Sequence, residues 1–212
     1  MIDDRRAAIE DLGDALRTLV ETATTTEAPA AALIEAADRI RELTAPLAAR
    51  TRDRDTLASA DDLLGNVRMY NPVIGPGNPL APPLRIVHDD GVAVGTCTLG
   101  LAFEGPPRFA HGGVSAMLLD QILGHAVTLS GHPGMTIRLD TAYRRPVPLL
   151  TPLRLTAEVT AVDGRLVTAA GSIAAASDPD TALVTATGTF KTLSPHQTST
   201  LFGPLLRASP TL

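Results

Sequence analysis

One stretch of this chain combines residue types that can do chemistry: His111-Gly112-Gly113-Val114-Ser115-Ala116-Met117-Leu118-Leu119-Asp120. Two glycines open an apolar helix, and a carboxylate follows inside it. A helix N-terminus presents unsatisfied N–H groups and a partial positive charge. That environment suits an oxygen acquiring negative charge, such as a thioester carbonyl under attack. The glycines allow a ligand to approach the backbone. A carboxylate in an apolar helix costs free energy unless it is paired, protonated or used. At helical spacing the neighbours of Asp120 are Gly113, Ala116, Gly124 and Val127, mostly small, so a ligand can come close. Val114, Leu118, Ile122 and Leu129 lie round from it and read as the core face. The plainer alternative is that Asp120 is a solvated residue or a hydrogen-bond partner, with the glycines serving only packing.

Positioning such a helix requires a sheet, and the chain supplies one. Residues 84–87 and 92–101 read as strands around Asp89-Asp90-Gly91, a hairpin turn signal. The helix of residues 112–130 follows and ends near Gly131. Residues 135–145 form a strand with Met135, Ile137, Leu139 and Tyr143 on one face. Strands 153–162 and 166–175 meet at Asp163-Gly164, and 183–192 closes the set. The helix is apolar all round, which argues against a surface position; an antiparallel sheet curved around it buries it.

Upstream, residues 3–22 and about 29–48 have apolar residues at helical spacing and predict a helical hairpin. Up to Asp55 this segment holds 12 acidic and 8 basic residues, which argues against a DNA-binding helix-turn-helix. Residues 69–83, rich in Pro, Gly and Asn, read as an irregular connector that crosses a surface or lines a site. After Pro195 the tail is polar, with one apolar patch (Leu201, Phe202, Leu205, Leu206), and is expected to dock loosely or be disordered. The expected division is 1–65 helical extension, 66–193 main domain and 194–212 tail.

The 212 residues are 44% hydrophobic but only 3% aromatic, so the core must be aliphatic. A net charge of −5 without a basic stripe gives no nucleic-acid partner. The single Cys97 excludes an intrachain disulfide and a cysteine metal cluster. The start carries no apolar signal-like stretch, and no run of about 18 apolar residues spans a bilayer. A cytoplasmic protein without membrane insertion is expected.

Phe103-Glu104-Gly105-Pro106-Pro107-Arg108-Phe109-Ala110-His111-Gly112-Gly113, followed by Asp120, resembles the hotdog-fold acyl-CoA thioesterases. The similarity is to the PaaI-like and thioesterase-superfamily-member-4-like group. Pro133-Gly134-Met135-Thr136, Tyr143-Arg144-Arg145-Pro146-Val147-Pro148-Leu149, Val162-Asp163-Gly164-Arg165 and Asn78-Pro79-Leu80-Ala81-Pro82-Pro83 extend it over roughly residues 70–192. Several blocks in order are far more specific than a bare His-Gly-Gly. The resemblance implies an α+β hotdog fold, with a sheet wrapped around the long helix. It also implies a homodimer, with tetramers or hexamers as further assemblies, and acyl-CoA as substrate.

By the same resemblance, the Gly112 N–H polarises the thioester carbonyl. Asp120 from the other subunit acts as general base or nucleophile, and Thr136 positions water or carboxylate. Such chemistry needs no metal and no cofactor. Gly113 joins the substrate-binding residues. His111, counted with the catalytic set, is a candidate ligand or base whose expected job is to shape the helix start. Many relatives carry Asn or Gln six residues before that histidine; here Gly105 stands there beside Glu104, as in a subgroup with esterase activity. Glu104 is a second acid/base candidate or a turn residue in a salt bridge. Arg144 and Arg145 suit CoA phosphates or are ordinary strand-end charges. An enoyl-CoA hydratase would pair Asp120 with His125, but within one helix these point about 140° apart. A non-catalytic acyl-CoA sensor on the same fold would have no need of Asp120 and Thr136.

Overall fold

A computed structural model of the chain describes residues 2–53, 55–63 and 65–207. Six strands form one antiparallel sheet in the order β1-β2-β4-β5-β6-β3. They are β1 (Arg85–Asp89), β2 (Val92–Thr98), β3 (Gly134–Tyr143), β4 (Pro152–Asp163), β5 (Leu166–Ala175) and β6 (Asp178–Thr192). The sheet covers one long helix, here α3 (Gly112–Leu129), which touches β2 through β6. This is the hotdog arrangement.

Alternation along the strands sends Leu153, Leu155 and Ala157, Val167, Ala169 and Ile173, and Val184, Ala186 and Phe190 inward. They meet Leu118, Leu119, Ile122, Leu123, Ala126 and Val127, which recur every three or four residues along α3 and are almost wholly buried. Each leucine, isoleucine, valine or phenylalanine among them contributes about 1.5–3 kcal/mol by leaving water. Two expectations for this helix need correction. Val127 belongs to the core stripe rather than beside Asp120, and Leu129, in the last turn, is 42% exposed. The helix ends before the sheet can cover it.

The hairpin turn at Asp90 and Gly91 has positive φ at both residues (43° and 84°), the combination that matches strand twist. The predicted strand 92–101 stops at Thr98, and residues Leu101–Phe103 form a 3-10 turn instead. The last strand starts earlier than expected, at Asp178.

β3 departs from simple alternation. Thr136 pairs with Phe190 and Arg138 with Thr189, so Ile137 is an extra, bulged residue. The bulge flips the phase: Met135 pairs with outward Lys191, whereas Leu139 and Tyr143 pair with inward Gly188 and Val184. The four residues expected to share a face therefore do not. Thr136, Leu139 and Tyr143 all face the helix side.

Two helices precede the sheet, α1 (Ile2–Thr25) and α2 (Ala30–Ala48). Helix α1 lies on the domain. A Cβ at Gly13 would fall 2.2 Å from the Pro76 carbonyl oxygen, so only glycine lets α1 seat against the connector. Arg17 donates to the Asn78 carbonyl at 2.9 Å. The connector thus crosses a surface as the platform for α1, with Met69, Val73 and Ala81 buried. Helix α2 buries none of its residues, and Leu43 and Leu47 are 70% and 59% exposed.

The tail is helical rather than loose: α4 spans Pro195–Arg207. The Ser194 hydroxyl accepts the backbone Gln197 N–H (3.2 Å), and the side-chain Oε1 of Gln197 accepts the backbone Ser194 N–H (3.0 Å). That reciprocal cap, with proline in the first helical position, starts the helix. Phe202 and Leu205 are half-buried and Leu201 is exposed; the side chain of Leu206 lies outside the described residues. No described helix is long and apolar enough to cross a membrane.

Candidate functional site

The entry to α3 is fixed by backbone bonds on both sides. Ala110 N–H donates to the Val147 carbonyl and His111 N–H to the Phe103 carbonyl, each at 2.9 Å. His111 is the N-cap, extended at φ −61° and ψ 136°. Its Nδ1 accepts the Gly113 N–H at 3.0 Å. The His111 carbonyl accepts from Val114 and Ser115. Gly112 N–H is thereby left at the tip of the helix, and among the described residues no group accepts it. Gly113, expected to bind substrate, has its N–H committed to His111.

A cavity of about 340 Å3 opens at this tip. Gly112, Ser115, Tyr143, Arg144 and Arg145 line it. Both arginines are exposed, and their backbone N–H groups donate to the Leu183 carbonyl (2.9 Å each). This fixes the turn that leaves β3. Tyr143 was not among the site residues read from the sequence. Its hydroxyl donates to the Gly112 carbonyl at 3.0 Å, across 31 residues. Nothing in residue type or spacing announces a contact that depends on the phase set by the β3 bulge.

Asp120 forms a second cluster. It is half-buried on α3, and Thr136 Oγ1 donates to its Oδ1 at 2.9 Å. The bulge after Thr136 aims that hydroxyl at the helix while keeping Leu139 and Tyr143 on the same side. Glu104 is turned elsewhere. Its Oε1 accepts the Arg108 N–H at 2.7 Å, which supports Arg108 at φ 74°. Within the chain Glu104 has the backbone partner of a turn residue rather than the salt bridge anticipated.

His125 does not join Asp120. It stacks on His88 of β1 at 6.3 Å between ring centres, whereas Thr136 lies on β3 at the other edge of the sheet. Burial holds His125 below the usual histidine range; the Gln121 carbonyl pulls it up, and His88 pushes it down. An Asp–His dyad of hydratase type is therefore not assembled within the chain. A larger groove, about 730 Å3, runs over the outward face of the sheet, lined by Thr156, Ser172, Thr185 and Thr187. One carboxylate there, Asp140, is held low by its hydrogen bonds to Arg138 and is committed to that pair. Among the described residues no three His, Cys, Asp or Glu side chains could hold a metal ion together.

Within one chain the two clusters cannot serve one reacting carbon. Gly112 and Asp120 are eight residues apart, roughly 12 Å along the axis at 1.5 Å per residue. The Gly112 N–H points away from the helix body, so an oxygen held by it lies farther still from Asp120.

The fold and these clusters describe a hotdog domain with a backbone donor at the helix tip and a hydroxyl-supported carboxylate on the helix. Comparison with known proteins agrees. The thioesterase superfamily model matches residues 108–182. A crystal structure of a thioesterase superfamily protein is 36% identical, covers 86% of this chain and 90% of its own, and superposes with a TM-score of 0.76. The chain belongs to the thioesterase superfamily. Acyl-coenzyme A thioesterase THEM4 of Mus musculus is 31% identical over 98 residues, covering 46% of this chain. That match spans 42% of the mouse protein, so the chain covers under half the length of this curated relative. Zebra fish thioesterase superfamily member 2 shares the fold at 17% identity, with a TM-score of 0.51 over 59% of this chain and 91% of its own.

Proposed function

We propose that the protein is an acyl-CoA thioesterase, hydrolysing a thioester to free acid and CoA at a site shared by two copies of the chain. The observation that carries this is the placement of β3. At one end Thr136 supports Asp120, and at the other Tyr143 touches Gly112. β3 is an edge strand whose Met135 and Ile137 are 51% and 57% exposed, a surface that a second strand would cover. Antiparallel pairing of two β3 strands about Leu139 and Asp140 sets Thr136 of one copy opposite Tyr143 of the other. Asp120 of one chain then approaches Gly112 of its neighbour.

In that composite site the carbonyl oxygen accepts the Gly112 N–H. Asp120 removes a proton from water as the water oxygen bonds to the carbonyl carbon, or attacks that carbon itself, expelling the thiolate and leaving an Asp120–acyl anhydride that water then hydrolyses to the free acid and Asp120. In the water route the negative charge of the tetrahedral intermediate collects on the oxygen at the helix tip, where the N–H and the helix dipole stabilise it. Collapse breaks the C–S bond; the sulfur leaves as thiolate and takes a proton. Arg144 and Arg145 stand beside the tip as cations for CoA phosphates. The named activity of the mouse relative supports acyl-CoA as the substrate class.

The test is release of free thiol from acyl-CoAs of several lengths and an aryl-CoA, comparing wild type with Asp120→Asn. Burial pushes the Cys97 thiol up to about 11, so a thiol reagent reads released CoA rather than this side chain. Loss of about 10²–10⁴-fold in kcat in a folded variant is expected. Wild type that binds CoA esters without turnover would establish a binding protein instead.

A further inference from the structure

We propose that Tyr143 is a positioning residue for the carbonyl-polarising amide, acting through a peptide group that is held at both ends. This rests on the thioesterase reading of the Gly112 N–H. The peptide group between Gly112 and Gly113 offers one acceptor and one donor, and a side chain takes each. Tyr143 Oη donates to the Gly112 carbonyl at 3.0 Å, and His111 Nδ1 accepts the Gly113 N–H at 3.0 Å. The two side chains come from different elements, β3 and the helix N-cap.

The peptide before His111 is pinned as well, since His111 N–H reaches the Phe103 carbonyl at 2.9 Å. Between these two fixed planes lies the His111–Gly112 peptide. Its carbonyl is used by the first turn of the helix, and its N–H is the donor left over. Rotating that N–H means turning a neighbouring peptide plane as well, and hence breaking one of the side-chain bonds. Glycine would otherwise make this the most pliable point of the helix start. The Tyr143 ring closes the other side: a Cβ on Gly112 would lie 3.4–3.6 Å from its edge atoms. A donor that stabilises a developing charge is effective only if its direction is settled beforehand. Tyr143 settles it without itself touching the reacting atoms.

Tyr143→Phe removes the hydroxyl and keeps the ring. Steady-state thiol release and amide hydrogen exchange of the folded variant test the proposal together. We expect kcat to fall about tenfold with KM within about twofold of wild type, by the same factor at every pH. The Gly113 amide should exchange roughly tenfold faster while the amides of Leu118 to Leu123 keep wild-type protection. Unchanged kcat overturns the proposal, and so does a raised KM at unchanged kcat, which would make Tyr143 a substrate contact. If wild type itself releases no thiol from any acyl-CoA, the hydrolase reading fails separately, and exchange alone decides. Unaltered Gly113 exchange in the variant then overturns the clamp, and faster exchange sustains it as an anchor of the helix start.

Discussion

Gly112 can be replaced by the one amino acid that starts a helix well and has no N–H. Proline is favoured in the first helical position, where the missing donor has no intrahelical acceptor. His111 already has the extended backbone that a following proline requires. The proline Cβ would meet the Tyr143 ring at ordinary contact distance. Gly112→Pro should therefore lower kcat by about 10²–10³-fold and leave the melting temperature within a few degrees of wild type, read by parallel assay and calorimetry. A variant of wild-type activity would remove the amide from the proposed chemistry. At this scale much of the candidate site was legible. His111, Gly112, Asp120 and Thr136 stand out by type and order, because glycines at a helix start and a lone carboxylate in an apolar helix each demand an explanation. Tyr143 was not legible, because its partner lies 31 residues away and its direction depends on a bulge that leaves no mark in residue type. The backbone partner of Glu104 was equally hidden, since a turn carboxylate and a catalytic one look the same in sequence.

Elements show where the reading of the chain was sound and where it slipped. The long helix and the six strands follow from periodicity, and their order gives the fold. The polar, proline-containing tail predicts loose docking or disorder, yet it is helical, because Ser194 and Gln197 around Pro195 spell a capping box. The connector and α1 are bound by contacts between distant residues. Glu21 is the clearest case. From α1 its carboxylate accepts the N–H groups of Leu101 (2.8 Å) and Ala102 (3.0 Å), capping the 3-10 turn that ends at Phe103. Phe103 in turn receives the His111 N–H, so α1 braces the start of α3 through one intermediary. Glu21→Ala strips two backbone donors of a charged acceptor. It should cost about 2–3 kcal/mol, or roughly 5–10 °C in melting temperature for a chain of this size. A melt indistinguishable from wild type would mean that α1 rests on the domain without bracing it.

For the whole molecule, the distance between Gly112 and Asp120 becomes a statement about assembly. If each site takes its amide from one chain and its carboxylate from the other, Asp120→Asn and Gly112→Pro damage different halves. Each variant alone should keep no more than about 1% of the wild-type rate. Unfolded together and refolded as an equal mixture, half of the dimers combine one of each. Such a dimer has one doubly damaged site and one intact site. Activity should return to about a quarter of wild type, measured as thiol release before and after mixing. No recovery, with mixed dimers present, would place both groups of a working site on the same chain and overturn the β3 pairing.

If the site is shared in this way, the same eight-residue gap on one rigid helix ties catalysis to mass action. A lone chain, even fully folded with its core intact, would then hold no site. Far below the dissociation constant of the pair, halving the total protein should cut the rate about fourfold rather than twofold. The abundance of the protein would then set the share of its chains able to react, as well as their number.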